Sequence, residues 1–176
     1  MAASIVALVA GCGEDEELFA NAQWRLRCPA SGEGDCPGSN PGHEVMASPG
    51  PGVSIDCTID AIGDDRNALD LTLRLQGDAG EPAVFKLDPL VFRDDHTVVS
   101  GRIQLEENGT YRGHVGAECE VPVFRTVDTD HGEAFIGEVT CEDLMERAVP
   151  TRMRDLTSAT SSTDPATFSI ANCRSI

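Results

Sequence analysis

From Val53 onward the apolar side chains fall at every second position. Val53, Ile55, Cys57, Ile59 and Ala61 share one side, and Ser54, Asp56, Thr58 and Asp60 the other. Beyond Gly63-Asp64-Asp65-Arg66-Asn67 the alternation resumes, with Leu69, Leu71, Leu73 and Leu75 set against Asp70, Thr72 and Arg74. Residues two apart share one face of a strand, whereas a helix needs them three and four apart. The two runs predict a β-hairpin with one buried face and one wet face.

The same signal predicts further strands on either side. Trp24-Arg25-Leu26-Arg27 reads as the first strand, with the only tryptophan as a core or cap residue. Residues 29–52 are dense in Pro, Gly and Ser without apolar periodicity and read as one long loop. Gly77-Asp78-Ala79-Gly80 predicts another loop, and Ala83–Phe92 a strand interrupted by Pro89. Val98–Leu105 and Thr110–Val115 flank Asn108-Gly109, a pair that supplies the positive φ angles of a tight hairpin turn.

Cys119, Val121 and Val123 alternate, as do Gly137, Val139 and Cys141, and both runs are symmetric about Asp130. That register sets Cys119 opposite Cys141, Val121 opposite Val139, and Val123 opposite Gly137. Directly opposed residues on antiparallel strands bring their Cβ atoms to about 4.5–5.5 Å, close to what a disulfide requires. The register therefore predicts a Cys119–Cys141 bridge. Pro122 cannot donate to a ladder, which puts its strand at a sheet edge. Glu142–Arg147 is expected as a short helical turn, Val149–Pro165 as a Ser/Thr-rich crossing segment, and Thr167–Cys173 as the closing strand. Short strands every ten residues or so, without a long helix, predict an all-β fold: one antiparallel β-sandwich or jelly roll.

Composition changes this picture in two ways. Asp and Glu number 30 against 13 Lys and Arg, a net charge of −17. Such a field repels nucleic acid and anionic headgroups and argues against both as partners. The seven cysteines contain no CxxC pair, which disfavours zinc, and six spaced cysteines in a small domain fit an oxidising compartment. Cys28 and Cys36 are expected to tie down the first part of the 29–52 loop, and elimination leaves Cys57 with Cys173. Six cysteines allow 15 arrangements, so the pairings that involve Cys28, Cys36, Cys57 and Cys173 stay open in the sequence.

Cys12 is the odd one out. It closes Leu8-Val9-Ala10-Gly11-Cys12, directly after the apolar run Ile5-Val6-Ala7-Leu8. This resembles the lipobox of bacterial lipoproteins, in which the cysteine thiol receives a diacylglyceryl group and the preceding peptide bond is cut. The resemblance covers residues 5–12. It implies a signal peptide over residues 1–11 and a lipidated Cys12, which leads an acidic tether over 12–23. The strand pattern places the β-sandwich domain over 24–176, with long loops at 29–52 and 149–166. Residues 1–4 lack the Lys or Arg of a signal n-region, so the chain is expected to begin inside its signal peptide. Gly13, where inner-membrane retention favours Asp, points to the outer membrane. Attachment would then rest on lipid, a diacylglycerol plus an N-linked acyl chain such as palmitate.

Candidate chemistry is sparse. Asp128-Thr129-Asp130-His131-Gly132-Glu133 places carboxylates in a Gly-containing loop, and Asp128, Asp130 and Glu133 are the candidate calcium ligands. Asp64-Asp65 and Asp94-Asp95 are weaker versions. No Gly-x-Ser-x-Gly, His-Glu-x-x-His or phosphate loop occurs. The four histidines (His43, His96, His114 and His131) lie in or near loops, where a triad assembled in space is conceivable. The sequence thus predicts a lipid-anchored envelope protein that is not an enzyme and binds no cofactor, unless calcium. It would act as a binding or structural module, with another envelope protein or a glycan as partner. A calcium-dependent adhesion or carbohydrate-binding module is the alternative, and a periplasmic hydrolase a more distant one.

Overall fold

The computed structural model describes residues 17–36, 38–76 and 82–175. The lipobox with Cys12, and the 77–80 loop, lie outside the described residues. Among the described residues the fold has twelve strands and no helix. They are β1 (Phe19–Arg27), β2 (His43–Ala47), β3 (Val53–Ala61), β4 (Arg66–Leu75), β5 (Ala83–Arg93) and β6 (Val98–Glu106). Then come β7 (Thr110–His114), β8 (Cys119–Thr129), β9 (Gly132–Glu146), β10 (Met153–Thr157), β11 (Ala166–Ala171) and β12 (Arg174–Ser175).

Hydrogen bonding makes them one sheet, in the order β10-β1-β11-β9-β7-β6-β5-β4-β3-β12, with β2 added to β1 and β8 to β9. Every pairing between strands is antiparallel except β12 on β3. β9 carries the turn from one half to the other. Its first part lies between β8 and β11, and its last part between β7 and β10. β10 and β11 run end to end along β1, as one strand interrupted at 158–165.

The two halves of the sheet face each other across an aromatic seam. Trp24 on β1 meets Phe85 on β5 at 5.6 Å, and Phe85 meets Phe168 on β11 at 6.1 Å. Further along, Phe92 on β5 lies edge-on to Phe124 on β8 at 4.8 Å and to Phe135 on β9 at 5.6 Å. A chain with only 5% aromatics spends most of them here, because each buries a large area per residue. Leu69, Leu71, Leu73, Leu87, Ile103, Leu105 and Leu156 complete the core, each at 1% exposure or less, and each contributes about 1.5–3 kcal/mol by leaving water.

The expected β3–β4 hairpin forms, with Cys57 opposite Leu71 and Ile55 opposite Leu73. The Asn108-Gly109 turn also forms, at φ 52° and 147°. Several expectations are corrected. The first strand starts at Phe19, five residues before Trp24, so residues 19–23 belong to the sheet and not to a tether. Residues 29–52 contain β2, whose single inward residue Val45 is too short a pattern to read. Pro89 does not break β5, because it sits where the ladder shifts register between Leu87 and Leu90 and a bulge needs no donor there. Glu142–Arg147 is not helical, since β9 continues to Glu146 with Leu144 buried. The 149–166 segment contains β10, and Arg154, Asp155, Leu156, Thr157 and Ser158 are all buried, covered on both faces of the strand. β12, not β11, closes the chain.

The β8–β9 pairing combines a hit and a miss. Cys119 lies opposite Cys141 and is bonded to it. The register then shifts between Glu120 and Val123, so that Phe124, and not Val123, lies opposite Gly137. Pro122 lies within that shift, on a strand whose one ladder among the described residues is with β9. The slip turns Phe124 inward, in the same half as Phe168, whose ring covers Gly137 where any side chain would collide with it.

Candidate functional site

The first parts of the two long segments that the sequence singled out, 29–52 and 149–166, meet at one end of the sheet. The first segment then runs back along β1 as β2. Cys28 bonds Cys36 with the Cα atoms 5.5 Å apart, closing a small loop at the end of β1. The Asp35 N–H donates to Thr151 O at 2.6 Å, and Asp35 and Arg152 form a parallel bridge. Asp155, 8% exposed, is the bracket between them. One of its oxygens accepts the Ala30 N–H at 2.8 Å and the other the Asp143 N–H at 3.0 Å. The Ser31 hydroxyl closes the ring by donating to Asp143 Oδ1 at 3.1 Å. At the base, Asn40 N–H donates to Leu26 O at 2.9 Å, and His43 Nε2 lies 3.0 Å from Glu107 Oε2 while its ring tilts against Trp24.

Beside these loops lies an open cleft of about 450 Å³ lined by Ala117, Glu118, Glu120, Thr140, Glu142 and Asp143. Glu120 lies opposite Thr140, and Glu142 N–H donates to Glu118 O at 2.9 Å. The backbone N–H of His114 donates to Glu118 Oε2 at 2.9 Å, and that hydrogen bond holds the Glu118 carboxyl below its ordinary range. No basic side chain lines the cleft. It presents negative charge in a concave wall, which suits an ammonium or guanidinium group. The sequence carried this signal unread: the register that opposes Cys119 to Cys141 also sets the acids flanking both cysteines together on the outer face.

The opposite end of β1 is built differently. Asn172, at φ 61°, donates through Nδ2 to Glu17 O at 3.0 Å and to His131 O at 2.7 Å. Phe19 stacks on His131 at 3.7 Å between ring centres. Cys173 is bonded to Cys57, joining the end of β11 to β3 across the two halves. The candidate calcium ligands lie at this end. Asp128 and Glu133 face each other on β8 and β9, with Asp130 at the exposed tip. Thr129 caps the turn, accepting the His131 N–H and donating to Gly132 O. Among the described residues no three or more His, Cys, Asp or Glu side chains form a metal-holding group.

The other sequence candidates stay apart. In the 94–97 turn Asp94 accepts from Asn67 and Asp95 from the Thr97 N–H, and the latter bond lowers the Asp95 pKa. His96 lies in that same turn, near Phe92 and Phe124, and exposed His114 lies 3.7 Å from Glu118. The four histidines are thus spread over both ends of the molecule. Compared with known proteins, the chain matches no family model, no curated protein and no solved structure.

Proposed function

We propose that this protein is a bacterial cell-envelope lipoprotein, held by acylated Cys12, whose domain is a non-enzymatic binding or structural module. The observation that carries the reading is the polarity of β1. The chain enters at Glu17, fixed by Asn172, and the joined loops begin at Cys28. Eleven residues of extended chain separate the two, roughly 35 Å. From Cys12 to Glu17 the backbone spans at most about 18 Å. An anchored domain therefore keeps its entry end near the bilayer and carries the loops and the acidic cleft outward.

The cysteine arithmetic supports the same reading. The six cysteines of the domain are paired, and Cys12 is the thiol left for lipid. Acidic Asp128, Asp130 and Glu133 at the entry end keep the domain off anionic headgroups. The acidic cleft at the far end favours a partner that brings Lys or Arg, such as a basic segment of another envelope protein.

Comparing the wild type with Cys12→Ser by cell fractionation tests this reading. The wild type is expected in the membrane pellet and in the detergent phase, and C12S in the soluble envelope fraction. A wild-type chain that stays soluble, or a C12S chain that stays in the membrane, would contradict it.

A further inference from the structure

Arg154 is 3% exposed, yet among the described residues no carboxylate lies within ion-pair distance of it. The acids around it are engaged elsewhere. Glu146 takes Arg152 at 3.3 Å, and both oxygens of Asp155 hold backbone amides. The Arg154 guanidinium lies 5.7 Å from the centre of the Tyr111 ring, and its Nε has no hydrogen-bond partner. Its Nη1 donates to Met153 O at 3.1 Å and to Cys36 Sγ at 2.7 Å.

A buried cation without an anion is costly. The atom it reaches is half of a disulfide, a weak acceptor in that form. As a thiolate the same sulfur would be the missing counter-ion. Cys28–Cys36 is the bridge with both sulfurs within reach, since in Cys57–Cys173 only Cys173 is half-buried and in Cys119–Cys141 neither residue is. Cys119, Cys141 and Cys57 are 0%, 2% and 1% exposed, whereas Cys28 and Cys36 are both only half-buried. In exchange reactions the better-stabilised thiolate leaves, so the incoming thiol attacks the other sulfur.

We propose that Cys28–Cys36 is a thiol-exchange site for small thiols, with Arg154 as the positioning residue that receives the Cys36 thiolate. The thiolate of a small thiol attacks Cys28 Sγ, a new S–S bond forms there, and the Cys28–Cys36 bond breaks with its electron pair on Cys36. A second small-thiol thiolate attacks the outer sulfur of the mixed disulfide and releases Cys28 as a thiolate, which takes its proton from water. Two thiols are oxidised to one disulfide and the bridge is reduced by two electrons. Opening it leaves the loop beside the acidic cleft held only by its polar contacts to Asp155 and Thr151, while Cys57–Cys173 and Cys119–Cys141 stay closed.

The full chain is incubated under native conditions with reduced glutathione, quenched with iodoacetamide and sequenced by fragmentation mass spectrometry. The expected first product carries glutathione on Cys28 and the alkyl group on Cys36, with Cys57, Cys119, Cys141 and Cys173 untouched. Arg154→Met should slow this step about tenfold, and Arg154→Lys should restore most of the rate. Glutathione on Cys36, an earlier opening of either core bridge, or an R154M variant that reacts as fast as the wild type would overturn the assignment. The position of the label in the wild type decides the matter even if R154M does not fold.

Discussion

The two ends of β1 solve the same problem in opposite ways. At the entry end the two halves are joined covalently by Cys57–Cys173, and one side chain, Asn172, ties Glu17 to the β8–β9 turn. At the loop end, the 28–36 loop is held by a local bridge and by polar side chains gripping backbone, with Asp155 at the centre. Long-range crosslinks restrict the unfolded chain most, whereas polar brackets restrict only the segment they grip. The entry end is therefore locked across both halves, and the loop end is held so that it can open locally without loss of the core.

Breaking each end in turn should sharpen that contrast. The largest effect is expected from Cys57→Ala with Cys173→Ala. The bridge spans 116 residues, and its loss should cost about 4–5 kcal/mol in urea unfolding. Cys28→Ala with Cys36→Ala, spanning 8 residues, should cost about 2–3 kcal/mol by the same measure. Equal losses would contradict the division of labour.

Asp155→Ala comes next at about 2–3 kcal/mol, because it strands two amide donors. Hydrogen exchange should speed up first at Ala30 and Asp143, with Leu71 and Ile103 still protected. Asn172→Ala should cost about 1 kcal/mol, read as faster exchange around Glu17 and His131.

The smallest effect concerns pH. Partial burial, and then the charges of Asp88, Asp60 and Asp56, hold the Asp70 carboxyl above its ordinary range, against the pull of Lys86. An acid whose pKa is higher folded than unfolded costs stability once ionised, and nothing below its unfolded pKa. Asp70→Asn should therefore stabilise the protein at neutral pH, by less than about 1 kcal/mol. The gain should vanish as pH falls below about 4. A gain that persists at pH 3 would mean the charge is not its cause.

How much of this was legible depended on the length of each pattern. Leu69 to Leu75 against Val53 to Ala61 gives four or five alternations, and the hairpin they predict is present. Val45 alone gives none, so β2 stayed hidden in a loop-like composition. Asp155 and Arg154 on β10 look like surface residues in the sequence, and only the tertiary fold buries them. A single proline also outweighed pattern: Cys119 set the pairing correctly, yet the shift at Pro122 moved everything beyond it by one. The acidic cleft was implicit in the cysteine register. The link between the two long segments was not, because it rests on side chains reaching backbone far away in sequence.

The central claim is that this domain hangs from Cys12 by its stapled end, and the intact mass of the protein extracted from its envelope tests that most directly. The account predicts a chain beginning at Cys12, carrying a diacylglyceryl thioether and an N-acyl group, with no thiol available to alkylation until reductant is added. A chain that retains Met1 and takes up seven alkyl groups without reductant would contradict it.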